Sequence, residues 1–399
     1  MDTGLEPGLA EGQYYEWSPP NYCSSVAPKL QFTAPFERES RLSMNFYRLA
    51  KWAPDGACAL TVSEYRTFRI HSLLREGNNY SLSPQIPLAQ ASSILDALWF
   101  PTASMKDPAS FCFMASVRES PVKLLDASNG RLRASYRIID HRERVIAPHS
   151  MAFDLTATQL YCGCEDFIEV FDVHRPGDGK RLPTSPSKKS KEGLKGIISS
   201  LAINPDYSGT YAAGTFSSSP HAIGLFDPDV GPNPTLFLGH VRRGGVTQIM
   251  FHPTRQYVIY AASRRSGYIQ IWDLRNPHEL TGEFLRGAEN NGTNQRLRFD
   301  IDIGGKWLAT GEEKGTVSLF DVSSATEEQY PPPKLQYQAH DDSIGSVAFH
   351  PIDSIALTVS GSRRFERDSP GTTWMSPLRS LTPLLTGSRE WEWWHRARC

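Results

Sequence analysis

Short apolar runs separated by turn residues recur along the chain, and the clearest example spans residues 238–275. One apolar run there ends at Phe251-His252-Pro253, a second covers residues 257–262, and apolar and polar positions alternate over residues 268–273. Turn residues between short β-branched and aromatic runs predict a succession of strand, turn, strand, turn and strand.

A fixed frame encloses these runs, because Gly239-His240 precedes them and Trp272-Asp273 ends them. This frame is the signature of a WD repeat, which forms one four-stranded blade of a β-propeller. The turn position of Pro253 recurs at a nearly constant spacing. Its counterparts are Pro54, Pro101, Leu155, Pro205, Ile303 and Pro351. Seven such turns predict a seven-bladed propeller.

The residue pairs that end the third strands follow the same order. They are Leu125-Asp126, Phe171-Asp172, Phe226-Asp227, Trp272-Asp273 and Phe320-Asp321. A ring of blades must also join its two ends, since otherwise one sheet exposes an unpaired edge. We therefore expect residues 30–36 to be the outermost strand of the last blade, so that an N-terminal strand closes an all-β propeller.

The remaining segments set the domain organisation. Residues 1–28 are rich in Gly, Pro, Ser and acidic residues and predict a disordered leader, whereas residues 29–395 form the propeller. Residues 175–195 are basic with almost no apolar side chains, which predicts a flexible insertion. Residues 363–389 lack a pattern and predict an irregular insertion in the last blade. Residues 391–395 fit either the third strand of that blade or an odd terminus.

Charge and cysteine usage narrow the class of protein. The chain has 42 Lys plus Arg and 43 Asp plus Glu, a formal net charge of −1, so a nucleic-acid partner requires a local basic patch. Six scattered cysteines without a Cys-x-x-Cys pair favour an intracellular, reduced protein. No apolar run is long enough for a membrane span and the start lacks a signal pattern, so we expect neither membrane insertion nor export.

Arginines provide the local patch. Loops between second and third strands share one rim of a propeller with the loops that enter each blade. The candidate RNA-binding residues on this rim are Arg118, Arg242, Arg243, Arg264, Arg265, Arg296, Arg363 and Arg364. Arginine suits phosphate because its planar fork donates hydrogen bonds in pairs and is weakly hydrated. The alternative is that these arginines pair with neighbouring acids on a solvated rim.

The fifth blade gives the sharpest case. Arg264 and Arg265 occupy the turn where WD repeats usually place an Asp that bonds the imidazole of the Gly-His pair. The internal network of this blade is therefore expected to be incomplete. Two cations in place of a structural acid favour an external ligand such as phosphate.

Other chemical motifs are weaker. A basic cluster resembles a two-part nuclear import signal, although a solvated basic loop has the same composition. Its residues are Lys180, Arg181, Lys188, Lys189 and Lys191. Cys162-Gly163-Cys164 has no second pair of ligands at a zinc spacing, so we expect no metal. No phosphate loop, nucleophile elbow or zinc-binding helix motif occurs, and we expect neither catalysis nor a cofactor.

Several further segments are not demanded by the generic repeat. They are residues 116–122, residues 126–136, Ala147-Pro148-His149-Ser150, residues 159–163, Gly196-Ile197-Ile198-Ser199, residues 239–275, Thr293-Asn294-Gln295-Arg296, His350-Pro351 and Ser360-Gly361. In the identity and order of these segments, the chain resembles the family of telomerase Cajal body WD-repeat proteins and its fungal relatives. The resemblance covers roughly residues 40–362.

This resemblance implies a nuclear, non-catalytic RNA-binding scaffold. Animal members of the family recognise a short loop in small Cajal body RNAs and telomerase RNA and help deliver these particles to Cajal bodies, whereas a yeast relative resembles a splicing-associated factor. The match makes Arg296 the preferred RNA-binding residue. We accordingly expect a monomer, located in the nucleus with a cytoplasmic pool, that binds small nuclear RNA and ribonucleoprotein components but no small-molecule substrate. The alternative is a splicing-associated scaffold that grips acidic peptides.

Overall fold

The computed structural model describes most of the chain. The described residues are 18–35, 45–77, 79–83, 87–187, 190, 193–217, 221–242, 244–287, 293–323, 330–363 and 380–385, the backbone alone being described for 34–35 and 380–385. Within these ranges the secondary structure consists of strands and turns, and every pair of neighbouring strands is antiparallel. The chain is therefore all-β.

Six sheets of four or five strands follow one another along the chain, each ordered from the inside of the molecule outwards. We call them blades one to six. Blade one contains Tyr47–Trp52, Cys58–Ser63, Thr67–Glu76 and Asn79–Ser83, with Leu88–Ala89 paired to its third strand. Blade two contains Ile94–Trp99, Cys112–Val117, Val122–Asp126 and Leu132–Tyr136, and blade three contains Ser150–Phe153, Gln159–Gly163, Phe167–Asp172 and Lys180–Pro183. A hairpin of Ile138–Ile139 and Val145–Ile146 lies between these two blades in the sequence.

The next three blades repeat this arrangement. Blade four contains Ile198–Ile203, Tyr211–Thr215, Ile223–Phe226 and Leu236–Phe237, and blade five contains Val246–Phe251, Val258–Ser263, Tyr268–Asp273 and Gly282–Leu285. Blade six contains Phe299–Ile301, Trp307–Gly311, Thr316–Asp321 and Leu335–Gln338. A seventh group of strands contains Ile344–Phe349, Ile355–Ser360 and Ser380–Leu385, with Lys29–Leu30 and Ala34–Pro35 paired to the last of these. This architecture is that of a WD-repeat β-propeller.

The first strands of the blades lie side by side around a central cavity of about 740 Å³. Neighbouring first strands are joined by hydrogen bonds from the backbone of one blade to a polar side chain of the blade before it. The pairs are Met151 N to Asp96 Oδ2 (2.9 Å), Ile249 N to Ser200 Oγ (2.8 Å), Phe299 N to Gln248 Oε1 (3.0 Å) and Phe349 N to Asp300 Oδ2 (2.7 Å). These bonds satisfy buried groups that no neighbouring strand reaches.

Apolar clusters fill the space between blades. The side chain of Trp272 is completely buried, and its Nε1 donates to the carbonyl of Gly239 at 2.9 Å. In other blades Phe171, Phe226 and Phe320 occupy the corresponding position, each at most 1 % exposed. In blade five the repeat frame thus connects the third strand to the entry loop, through a buried aromatic side chain and its hydrogen bond to Gly239.

All seven turn positions expected from the sequence lie between the first and second strands of a sheet. Six blades are complete within the described residues, one fewer than we expected. The seventh group of strands includes a strand that we missed, since Ser380–Leu385 pairs with Ile355–Ser360. Residues 363–389 are therefore not irregular throughout, and residues 391–395 lie outside the described residues. The missing signature pair at the end of Ser380–Leu385 hid this strand.

Two other expectations are wrong for part of the chain. Lys180–Pro183 is the fourth strand of blade three, so residues 175–195 are not a flexible insertion over their whole length. A strand at the outer edge needs few apolar side chains, and its composition therefore resembles that of a loop. The expected disordered leader also fails at Tyr22, whose side chain is 4 % exposed and packs on Phe349.

Candidate nucleic-acid interface

The turns between second and third strands and the loops that enter the first strands form one face of the molecule. We call it the arginine face and define it by Phe216, Arg264, Arg265, Arg296, Arg118 and His149. Phe216 directly follows the second strand of blade four, and Arg264 directly follows that of blade five. Arg296 lies in the loop that enters blade six. Three consecutive blades therefore supply the centre of this face.

Two guanidinium groups share one aromatic ring. The guanidinium carbon of Arg264 lies 3.8 Å from the centroid of Phe216, and that of Arg296 lies 4.9 Å from the same centroid. Such contacts are attractive because the face of an aromatic ring carries partial negative charge. Neither arginine has an ion pair with a carboxylate among the described residues, and the Nε of Arg264 is buried without a hydrogen-bond partner. The pair is therefore partly buried and not neutralised.

Burial destabilises the charged form of both side chains. It lowers the pKa of Arg264, and it lowers the pKa of Arg296 to about 9, with further lowering by Arg298, Arg264 and Arg48. Asp96 opposes the shift at Arg296. Arg296 is therefore still protonated at pH 7 but sits among like charges, and an anionic ligand would lower the free energy of this arrangement.

His149 lies in the same field of positive charge. Burial lowers its pKa to about 4, and Arg296, Arg118 and Arg264 add to the shift. The imidazole is therefore neutral at pH 7 and has one donor and one acceptor nitrogen. The exposed side chain of Arg118 has no ion pair within the described part of the chain. The guanidinium groups of Arg118, Arg264 and Arg296 thus lie near the neutral imidazole of His149.

Loop contacts position these side chains. Arg265 is exposed, has a φ of 54°, and donates from Nε to Asn294 Oδ1 at 2.9 Å. The neighbouring Gln295 donates from Nε2 to the carbonyl of Gly361 at 2.8 Å. These two bonds hold the loop that carries Arg296 between blade five and the seventh group of strands.

Two of the arginines predicted from the sequence are neutralised. Arg242 Nη2 lies 2.6 Å from Glu283 Oε2, and its guanidinium carbon lies 3.9 Å from the centroid of Tyr268. Arg363 donates from Nε to Glu64 Oε1 at 2.6 Å. For Arg242 and Arg363 the alternative of pairing with neighbouring acids is therefore the one that the structure shows. Arg243 and Arg364 lie outside the described residues.

Sequence reasoning missed several residues of this region. Phe216 carried no signal because single aromatic residues after a strand are common. Arg298, whose Nη2 lies 3.6 Å from Asp96 Oδ1, belongs to the inner wall rather than to a loop. Arg286 is 3 % exposed and donates from Nη1 to Leu297 O and from Nη2 to Ser266 O. Burial lowers its pKa to about 10, and its role is to tie the loop before blade six to the turn of blade five.

The proposed import residues divide between two environments. Lys180 and Arg181 belong to the fourth strand of blade three, and Arg181 Nε lies 2.7 Å from Glu169 Oε2. Lys188, Lys189 and Lys191 lie outside the described residues. The upstream half of the expected signal is therefore part of a sheet, with one of its two cations paired.

Other chemistry is sparse over the same ranges. Cys162 and Cys164 are free and buried, and burial raises the pKa of both thiols. The described residues contain no cluster of three or more side chains suited to hold a metal ion. They also contain no helix long and apolar enough to cross a membrane.

Comparisons with known proteins agree with the repeat frame. A family model described as WD domain, G-beta repeat, matches residues 232–273. Telomerase Cajal body protein 1 of Rattus norvegicus is 33% identical over 389 residues, which cover 96% of this chain and 70% of that protein. The human protein of the same name is 31% identical over 404 residues, covering 98% and 71%. Guanine nucleotide-binding protein negative regulator 1 of Schizosaccharomyces pombe is 27% identical over 366 residues, covering 87% and 88%.

Proposed function

Because the chain belongs to the family of telomerase Cajal body protein 1, we propose that it is a non-catalytic WD-repeat scaffold that binds small nuclear RNA through the arginine face. The RNA class is that of small Cajal body RNA, including telomerase RNA, since the names of the relatives refer to telomerase and the Cajal body. The role is to help assemble and localise the ribonucleoprotein. The observation that carries this proposal is the pair Arg264 and Arg296 on Phe216, which has no carboxylate partner among the described residues.

The electrostatics of this pair favour a polyanion. Two guanidinium groups close together and partly buried are unfavourable in the absence of counter-charge, as the lowered pKa of Arg296 reflects. A phosphate diester accepts paired hydrogen bonds from a guanidinium and restores that charge. The net charge of −1 for the chain means that this attraction is local.

The side-chain chemistry of the region favours single-stranded RNA. Guanidinium planes and aromatic rings support unstacked bases, and polar edges such as the neutral His149 discriminate among them. The site combines an aromatic ring and guanidinium planes with arginines that form no ion pair among the described residues, which suits an unstacked loop rather than the backbone of a long duplex.

The decisive experiment measures RNA affinity as a function of salt. Each phosphate contact contributes about 0.7 to the slope of log K against log salt for single strands. Replacing both Arg264 and Arg296 with alanine should therefore weaken binding of a small Cajal body RNA loop and reduce the slope by about 1.4. Arg242→Ala is the matched control, because its guanidinium is already neutralised by Glu283, and it should leave the slope nearly unchanged.

Two outcomes would contradict the proposal. One is an unchanged slope in the double variant, and the other is binding of acidic peptides by the wild-type chain with no measurable RNA affinity. The second result would assign the arginine face to a protein scaffold. Crosslinking the protein to RNA in cells, followed by sequencing, identifies the RNA class independently of the variants.

We also propose a nuclear location, which the names of the relatives support. Replacing Lys188, Lys189 and Lys191 together with alanine tests the import segment without removing the strand Lys180–Pro183. A shift toward the cytoplasm is expected. Unchanged nuclear fluorescence of the tagged variant would show that another route carries the protein into the nucleus.

The same proposal includes a ring of seven blades closed by the N-terminal strand. Hydrogen bonds between the first and seventh groups support it, since Trp52 Nε1 donates to Ala348 O at 3.2 Å. The pairing of Lys29–Leu30 with Ser380–Leu385 supports it as well. Truncation after residue 362 should then destabilise the chain strongly, and an unchanged melting temperature would count against closure.

A further inference from the structure

A segment outside the blades is bound to the face opposite the arginine face. This opposite face is formed by the turns between first and second strands. Tyr22 inserts its ring between blade six and the seventh group, 4.8 Å from the centroid of Phe349, and its hydroxyl donates to the carbonyl of His350 at 3.4 Å. Pro20 is also buried, whereas Pro19 and Asn21 are exposed. The four residues read Pro19-Pro20-Asn21-Tyr22.

The attachment of this segment is slight. Among the described residues, 18–28 make one hydrogen bond to the propeller, which is the long one from Tyr22. Burial raises the pKa of the Tyr22 hydroxyl, and Asp302, Asp300 and Asp353 raise it further. The phenol thus sits beside carboxylates, with one weak acceptor in reach. The buried side chains of Pro20 and Tyr22 therefore hold the segment, and its release breaks only this one long hydrogen bond.

The sequence of the segment is typical of a peptide that protein modules bind. Consecutive prolines favour the extended polyproline II conformation, which protein modules with aromatic-lined grooves recognise with little loss of chain entropy. A tyrosine two residues after a proline pair adds a large amphipathic anchor. Pro20 and Tyr22 are buried against the propeller, so such a module cannot grip them while the segment is docked.

We propose that Pro19-Pro20-Asn21-Tyr22 is a partner-binding segment, held closed by the propeller, for a protein module of the WW type that binds Pro-Pro-x-Tyr peptides. The docked and partner-bound states exclude each other because both use Tyr22. The opposite face acts as an intramolecular competitor that lowers the apparent affinity of the partner. This inference does not depend on RNA binding, since the arginine face lies on the other side of the molecule.

The test uses the full chain and an isolated WW domain selective for Pro-Pro-x-Tyr peptides. A synthetic peptide of residues 18–28 should bind the domain at least tenfold more tightly than the full chain does. Gly304→Ala should reduce this difference, because a Cβ at Gly304 would lie 2.9 Å from Pro19 Cβ and would force the docked segment to shift. Tyr22→Ala should abolish binding of both chain and peptide.

Tyr207→Ala is the matched control, because Tyr207 is an aromatic residue of the same face that is 79 % exposed. It should leave the affinity for the WW domain unchanged. The RNA affinity and circular dichroism of Gly304→Ala should equal those of the wild type, which shows that the propeller remains folded. Equal affinities of wild-type chain and peptide would overturn the closed state. Failure of the peptide and of the Gly304→Ala chain to bind would overturn the choice of partner.

Discussion

At the scale of single residues, the arginine face shows that position on a rim does not determine the state of a charge. Arg242 and Arg264 lie on the same rim of blade five, yet the first is paired with Glu283 and the second has no carboxylate partner among the described residues. The difference arises because Arg242 reaches outward to the fourth strand, whereas Arg264 turns toward blade four and Phe216. Counting basic residues therefore overestimates the number of unneutralised ligand-binding groups.

Phe216 gives the first prediction. Phe216→Leu keeps an apolar side chain but removes the ring on which Arg264 and Arg296 lie, so both guanidinium groups lose a cation–π contact worth about 0.5–1 kcal/mol each. We expect RNA affinity to fall by roughly fivefold to thirtyfold, which corresponds to the loss of both contacts, as measured by fluorescence anisotropy. Phe216→Tyr retains the ring and should bind like the wild type. Equal affinities for the leucine and tyrosine variants would show that the ring does not organise the site.

At the scale of the blade, the sequence predicted the features that recur in every blade and missed the features that do not recur. The turn positions and the pairs such as Phe171-Asp172 were visible because each blade needs a tight turn and an apolar side chain at a fixed place. Lys180–Pro183 was not visible, since an edge strand buries too little to require a distinctive composition. Ser380–Leu385 was not visible because no signature pair ends it. The pairing of Arg242 with Glu283 was equally hidden, because the two residues lie on different elements of the blade.

Trp272 gives the prediction at this scale. Trp272→Phe should destabilise the protein although phenylalanine is normal at this position in other blades. The indole fills a completely buried site and its Nε1 bonds the carbonyl of Gly239, so the change leaves a small cavity and removes a buried hydrogen bond. We expect a loss of about 1–3 kcal/mol in the free energy of unfolding, measured with urea. An unaltered midpoint would show that blade five relaxes around the smaller ring.

At the scale of the whole molecule, the two faces have different chemistry. The arginine face gathers cations that form no ion pair within the described part of the chain, whereas the opposite face presents aliphatic and aromatic residues of successive turns. These exposed residues are Met105, Leu155, Tyr207, Tyr257, Ile303 and Ile352. The family resemblance predicted an RNA-binding face, but no repeat pattern could indicate that residues 18–23 dock on the other side. The RNA and the protein partner that we propose would therefore bind on different faces.

The folded molecule also buries neutral histidines in several blades, which makes its stability depend on pH. Burial lowers the pKa of His71, His149, His252 and His340 to about 4, against an ordinary value of 6.5. Between pH 6.5 and 4 the unfolded chain therefore binds protons that the folded chain does not, and stability falls as the pH falls through this window. Asp300 and Asp302 act in the opposite direction, because burial raises the pKa of Asp300 to about 7 and also raises that of Asp302, but the four histidines outnumber them.

His340 tests this dependence directly. His340→Gln removes one buried imidazole, whose Nε2 lies 2.8 Å from Thr358 Oγ1. Urea unfolding at pH 7, 6 and 5 should show that the loss of stability on acidification is shallower in the variant, by up to about 1.4 kcal/mol per pH unit. The slope is the informative quantity, because glutamine also changes the absolute stability at every pH. His174→Gln, at an exposed position, should keep the wild-type slope. If the two variants lost stability in parallel between pH 6 and 5, buried neutral histidine would not be the source of the acid sensitivity.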